Sequence, residues 1–308
     1  MVKRRQESIR VSHFDKSFDV VNTLFMVIFL LIMFYPLYFT IIVSLSDINE
    51  VGKGNVWFYP KGFSFGAYEN VVVNDSLWVG YKNSILYTIG YTLYGLFITI
   101  PTAYVLSKKD LFAKSFIMWY FLITMYFSGG IVPSYILIKN LQLMNTPWAI
   151  ILGTMSIYNM IITRTYFSNA IPGELFESAH IDGANEFQGF FKIALPLAKP
   201  IIAVIVLYLA VAQWNSYFSA MIYTSDKNIQ PLQLVLRRIL LMNEQMLTNP
   251  DYIHDLSEEE YSIVVQKSRL AESMKYAVIF ITSAPLLIAY PFVQKYFVRG
   301  VLIGSLKG

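Results

Sequence analysis

The sequence predicts an all-α, polytopic membrane protein with six transmembrane helices, both termini in the cytoplasm, and short cytoplasmic helices between helices 4 and 5. Three observations predict this class. AVILMFWYC residues make up 56% of the chain and charged residues 14%, where a soluble domain carries roughly a quarter. Mean hydropathy is +0.49, and the apolar residues fall in runs long enough to cross a bilayer. Finally, Lys and Arg fall unevenly between alternate connections, which sets an orientation.

The spans follow in order. Residues 1–19 form a polar, basic segment with Lys3, Arg4, Arg5, Arg10 and Lys16. Span one covers 20–45; it is longer than a signal-peptide core, and no small-x-small cleavage site follows it. Pro36 predicts a kink there. Span two covers 83–106. Span three covers 115–138, with Gly129, Gly130 and Pro133 breaking its far end. Spans four, five and six cover 147–167, 200–223 and 276–297. Together they give a transmembrane domain over 20–298, with a loop at 168–199, an outer loop at 224–275, and a cytoplasmic tail at 299–308. With the N-terminus inside, the cytoplasmic pieces hold 14 Lys or Arg residues. The two shorter outer loops hold only Lys53, Lys61, Lys82 and Lys139. That bias places 168–199 in the cytoplasm of a multi-pass protein of the cell (cytoplasmic or inner) membrane.

Several function classes are excluded or weakened. The spans contain no Asp or Glu, whereas ion-coupled carriers usually hold intramembrane ionisable groups. No G-x-x-x-x-G-K-[ST] is present, so the chain has no P-loop ATPase site of its own. There is no Cys, the three His residues are scattered, and no metal site or catalytic cluster is readable. A net charge of +4 gives no reason to expect nucleic acid. The polar residues within spans are uncharged, and Gln213-Trp214-Asn215-Ser216-Tyr217 is the densest group. Such residues serve either as interhelical hydrogen bonds or as a neutral pathway. Aromatic faces and amides suit a sugar, so Asn159, Trp214, Asn215 and Tyr217 are the candidates for a substrate path.

The stretch 172–200 is the polar island of the chain. Pro172 suits a first helical turn, and Glu174 and Glu177 favour the positive end of a helix dipole. The spacing predicts a helix over 172–181, a turn at Asp182-Gly183, and a second short helix over 184–193 before Pro196 and Pro200. A helix lying on an anionic leaflet favours basic residues, but 172–191 has four acids and no Lys or Arg. A protein partner is the better reading.

ESAHIDGANEFQGFFKIALP resembles the EAA loop of ABC importer permeases. The matching positions are Glu177, Ala179, Asp182, Gly183, Ala184, Ile193, Leu195 and Pro196, with Ser178 where Ala is usual. The end of the chain, FVRGVLIGSLKG, is similar to the tail of the maltose-type second permease at Gly300, Gly304, Lys307 and Gly308. The stretch FSGGIVPSYILIKNLQLMNTPWAI resembles the branch that handles oligosaccharides and polysaccharide fragments. The resemblance implies a carbohydrate importer with a second homologous permease subunit, two ATPase (nucleotide-binding) subunits and an extracytoplasmic solute-binding protein. ATP and Mg would be bound by the ATPase subunits, with no cofactor in this chain. It implies that the first short helix, with Glu174, is a coupling helix seated in an ATPase cleft, and that the tail reaches toward the ATPase interface. An ABC permease for another neutral solute, and a secondary carrier or channel, remain alternatives.

Outside the membrane, Leu232, Leu236, Ile239 and Leu240 predict an amphipathic helix, and Ser257-x-x-Glu260 a capping box leading into span six. This outer loop either rests on the bilayer or contacts a solute-binding protein. Trp57, Phe58, Tyr59 and Trp78 mark a second aromatic outer loop suited to the membrane interface.

Overall fold

The structure is a computed structural model, and it describes residues 13–248 and 257–305. Among these residues the regular elements are helical. In chain order they are α1 (His13–Ser44), α2 (Ile48–Gly52), α3 (Gly66–Val73), α4 (Asp75–Ser107), α5 (Lys114–Tyr126), α6 (Ile131–Asn140), α7 (Trp148–Ile151) and α8 (Ile157–Ala170). There follow α9 (Glu174–Ile181), α10 (Glu186–Gln188), a π-helical turn (Gly189–Ala194), α11 (Leu195–Leu197) and α12 (Lys199–Trp214). The last are α13 (Phe218–Tyr223), a 3₁₀ turn (Lys227–Ile229), α14 (Leu232–Thr248) and α15 (Glu258–Ser305).

Two helices among the described residues are long and apolar enough to cross a membrane, Lys16–Ser44 and Asp75–Ser107, or up to four if each bent pair forms one span. α5 and α6 form one such pair, bent by 108°. The glycines named from the sequence sit at this break, where Gly130 has φ +86°. The second pair is Glu186–Leu197 followed by α12, bent by 76°. The apolar stretch 147–167 is divided into α7 and α8 by residues 152–156. Hydropathy reports how apolar a stretch is and is blind to whether its helix is continuous. α1 continues through Pro36.

The chain divides into two compact units. The first comprises residues 1–70 and 251–280. Within it, Ile42, Val43, Val51 and Val56 form a small core with Phe39 packed edge-on to Tyr276 at 5.9 Å. Asp47 caps α2 by accepting the Asn49 N–H.

The second unit comprises residues 71–250 and 281–308. Its core joins α4, α8 and α12 through Ile100, Ala103, Met160, Phe167, Ile205 and Leu209. Lipid tails are as apolar as Leu, so such helices gain from close packing rather than from leaving water. Gly95 permits that approach: a Cβ there would lie 2.8 Å from Leu209 Cδ1. Polar span residues also fasten the chain leading into α14. Ser84 Oγ accepts from Leu232 N at 2.9 Å, Tyr87 donates to the Ile229 carbonyl at 2.8 Å, and Asn83 donates to the Gln230 carbonyl at 3.1 Å. α4 therefore spends three of its uncharged polar side chains, Asn83, Ser84 and Tyr87, on holding an adjacent loop.

Candidate functional site

α9 is held at both ends by backbone chemistry legible in the sequence. Glu174 and Glu177 occupy its first turn, where their charge complements the dipole. At the other end Gly183 has φ +83°, in the left-handed region that glycine enters without steric cost. Its N–H donates to the His180 carbonyl at 3.0 Å, and Ala184 N–H donates to the Ala179 carbonyl at 2.8 Å. These two bonds form a Schellman motif. Asn185 then opens α10 with a reciprocal capping box: Asn185 Oδ1 accepts from Gln188 N at 2.9 Å, and Gln188 Oε1 accepts from Asn185 N at 3.1 Å. A helix stop and a helix start are thus packed into Asp182–Asn185.

The second short helix differs from expectation. Only Glu186–Gln188 is α-helical, and residues 189–194 form a π turn. A π turn accommodates an extra residue within a helical path. Gly189 and Ala194 are buried in it, while Phe191 and Lys192 face outward.

Side chains brace α9 against the end of α4. Phe176 lies on its inner face with ring centre 6.0 Å from Tyr104, which also meets Phe167 at 5.6 Å and Phe190 at 5.0 Å. Lys108 Nζ sits 4.2 Å from the Phe176 ring centre and 4.8 Å from that of Tyr104. It also lies 3.3 Å from Glu186 Oε2, and the other Glu186 oxygen is 3.1 Å from His180 Nε2. Burial pulls the Lys108 pKa down, but the Tyr104 hydroxyl and the Glu186 carboxylate together outweigh it, so the ammonium is held above its ordinary range. Two further cations close the carbonyl end of α4: Lys114 Nζ donates to the Lys108 carbonyl at 2.7 Å, and Arg164 Nε to the Leu106 carbonyl at 3.0 Å.

The outward face of α9 is free. Glu174, Leu175, Glu177, Ser178 and Asp182 are exposed, and Ile181 is 88% exposed. Ala179 and Ala184 are half-buried, as are Ile193 and Leu195, while Pro196 is exposed at the second position of α11. Acid and apolar groups therefore share one exposed surface on a braced helix. Of the residues that make it rigid, Tyr104, Lys108 and the Asn185/Gln188 pair were not among those singled out in the sequence. Asn-x-x-Gln is a capping signature and could have been read. Lys108 lies too far from Glu186 in sequence for local pattern to connect them.

The residues selected for a substrate path occupy different environments. Asn159 is buried in α8, with its backbone N–H capped by Ser156 Oγ at 3.3 Å. Trp214 is buried, donates its indole N–H to the Thr282 carbonyl at 3.0 Å, and meets Tyr81 edge-on at 5.8 Å. Asn215 is exposed and donates to the Val211 carbonyl at 3.0 Å. Tyr217 is exposed, with the Arg237 guanidinium 4.8 Å above its ring. Gly300 and Gly304 lie in the last turns of α15, and Lys307 and Gly308 fall outside the described residues.

Broken apolar spans sharing a core with an exposed, braced acidic helix define a helical membrane component. The chain belongs to the family described as binding-protein-dependent transport system inner membrane component, whose model matches residues 76–303. It is similar to the polygalacturonan/rhamnogalacturonan transport system permease protein YtcP of Bacillus subtilis (strain 168), with 36% identity over 96% of this chain and 99% of that protein. It is also similar to the arabinooligosaccharides transport system permease protein AraQ of the same organism, with 25% identity over 94% of this chain and 96% of the relative. Among solved structures, a chain of a bacterial ABC transporter involved in the import of the acidic polysaccharide alginate superposes with a TM-score of 0.82. That pair is 31% identical and covers 94% of this chain and 100% of the other.

Proposed function

We propose that this chain is a permease subunit of an ATP-driven, binding-protein-dependent importer for a carbohydrate, in particular an oligosaccharide. The observation that carries the reading is α9: an exposed, acidic and apolar helix, fixed at both ends and clamped by Lys108 and Phe176 to a long apolar helix. The names of the relatives supply the class of cargo. In this reading six spans cross the membrane with both termini in the cytoplasm. A second homologous permease completes the path, two ATPase subunits dock below, and an extracytoplasmic solute-binding protein delivers the sugar. ATP and Mg belong to the ATPase subunits.

α9 would act as a lever. A push on its outer face passes through Phe176 and Tyr104 into α4 and through the π turn into α12, so the spans rock as packed bodies. Glu174, Glu177, Ser178, Ala179, Asp182, Gly183 and Ala184 form the coupling surface, and Ile193, Leu195 and Pro196 its link to α12. Gly300, Gly304, Lys307 and Gly308 would meet the ATPase pair. Along the path, Asn215 and Tyr217 offer exposed polar and aromatic groups, while Asn159 and Trp214 shape the wall behind them.

The test is reconstitution with its partners in proteoliposomes, measuring saccharide-stimulated ATP hydrolysis and uptake against a panel of oligosaccharides. Uptake without the ATPase subunits would instead support a secondary carrier. Stimulation by a non-carbohydrate solute alone would reassign the cargo.

A further inference from the structure

The large apolar side chains of α1 from Phe18 to Leu37 are exposed, with values of 47–68%. At 1.5 Å per residue that segment is about 28 Å long, close to the roughly 30 Å of a hydrocarbon core. Beyond it the environment changes: Tyr38, Phe39, Thr40 and Ile41 are half-buried, and Ile42 and Val43 are buried. The cover comes from the segment after α2. Val56 is buried with Ile42 and Val43, and the next three residues, Trp57, Phe58 and Tyr59, are 62%, 71% and 64% exposed.

This aromatic segment folds back along α1. Tyr35 donates its hydroxyl hydrogen to the Trp57 carbonyl at 3.1 Å, and Tyr38 to the Phe58 carbonyl at 2.5 Å. The Phe58 ring lies 6.2 Å from that of Tyr35. The returning strand of the loop is also fixed: Asp47 N–H donates to the Lys61 carbonyl at 2.9 Å, and Ser64 N–H to the Leu45 carbonyl at 3.0 Å. The backbone of Trp57 and Phe58 is therefore held beside Tyr35 and Tyr38, where the exposed apolar length of α1 ends, and Tyr59 follows next in the chain.

We propose that Trp57, Phe58 and Tyr59 form an interfacial anchor seated in the headgroup boundary of the bilayer, and that the partner of this surface is phospholipid. Two features favour lipid over a protein or a glycan. A loop built to meet a soluble partner projects into water, whereas this one descends to the edge of the apolar segment. Carbonyls in water need no protein donor, but near hydrocarbon each must be satisfied internally, and Tyr35 and Tyr38 supply that here. Tyr and Trp are the residues that favour such a boundary. The consequence is a fixed depth for α1 whichever leaflet it faces, so the proposal does not depend on the transport reading above.

The chain has no Cys, so a single nitroxide label can be placed without altering the background. Trp57→Cys, Phe58→Cys and Tyr59→Cys are labelled one at a time in the full-length chain, purified with whatever subunits accompany it and placed in phosphatidylcholine/phosphatidylglycerol proteoliposomes, with Lys53→Cys as the aqueous reference. Collision rates with oxygen and with a neutral nickel chelate then report depth. The expected result is a ratio of oxygen to nickel collisions at least several-fold higher at the three sites than at 53. A ratio equal to that at 53 places the loop in water and overturns the proposal. Shielding from both reagents, as a docked protein or glycan would give, overturns it as well. Agreement among three separate sites guards against one label disturbing the loop.

Discussion

Lys108 holds Glu186 at 3.3 Å while its ammonium lies over the Phe176 ring at 4.2 Å, so one side chain ties α4, α9 and α10 together. Both partners of the ion pair are partly exposed, which limits it to about 0–1 kcal/mol, and the ring contact adds about 0.5–1 kcal/mol. Lys108→Ala should therefore leave global stability nearly unchanged while loosening α9. Amide exchange over 174–188 should quicken about tenfold, with Lys108→Arg retaining most of the protection. Unchanged exchange in the Ala variant would show that Phe176 packing alone holds the helix.

The same contact has a defined pH response. The native pKa of Lys108 is raised above the ordinary 10.5. A raised cation contributes fully below its unfolded pKa, and the contribution fades as pH rises through the native value. The part of α9 protection that depends on Lys108 should thus be flat from about pH 6 to 9 and fall only in the strongly alkaline range. A Lys108-dependent loss near neutrality, absent in Lys108→Arg, would contradict this sign.

Gly183 separates backbone from packing. Its φ is +83°, and an added Cβ meets nothing within 4 Å. A β-branched residue there faces a backbone cost of about 1–2 kcal/mol without any clash. Gly183→Val should disrupt the Schellman turn and reduce transport-coupled ATP hydrolysis at least tenfold while membrane insertion stays normal. Gly183→Asn, which tolerates the left-handed region, should retain most activity. Equal activity of Val and Asn variants would remove the turn from the coupling role.

Much of this was legible because it is local. The acids of α9, the glycine after it and the amphipathic run of α14 are each set by neighbours a few residues away. Gly129-Gly130 announced a break, and the structure puts a 108° bend there. What stayed hidden depends on contacts distant in sequence or on geometry without a residue signature. The division of α7 from α8 falls in LGTMS, where apolar composition hides a break in the helix. The π turn over 189–194 is likewise geometry without a residue signature: even at Gly189 a Cβ would meet Phe176 and Tyr104 at an ordinary 3.6 Å. Trp214 was conspicuous as an aromatic-amide group, yet composition gave no hint that its indole N–H is committed to the Thr282 carbonyl.

That commitment separates wall residues from contact residues. Trp214→Ala removes a buried ring, a change costing about 3–5 kcal/mol, and should lower the Tm of the purified complex markedly. Trp214→Phe keeps most of the volume and loses about 1 kcal/mol with the hydrogen bond. Tyr217→Ala, at an exposed site, should leave Tm within about 2 °C while changing KM or saccharide preference. If Trp214→Ala alters preference at normal Tm, the indole contacts cargo directly.

The orientation of the whole assembly turns on one exposed atom. Ser178 lies on the outward face of α9, and among the described residues its hydroxyl bonds the Leu175 carbonyl of its own helix, at 3.2 Å. Ser178→Cys therefore introduces a reachable thiol into a chain that has none. In the proposed topology, with the basic residues near the span ends on the inner side, this face lies in the cytoplasm. A membrane-impermeant maleimide should label inside-out vesicles and leave right-side-out vesicles unmodified. Adding the ATPase subunits to inside-out vesicles should slow labelling at least fivefold, since docking would cover the same face. Labelling from outside would invert the topology, and labelling indifferent to the ATPase subunits would move their dock elsewhere.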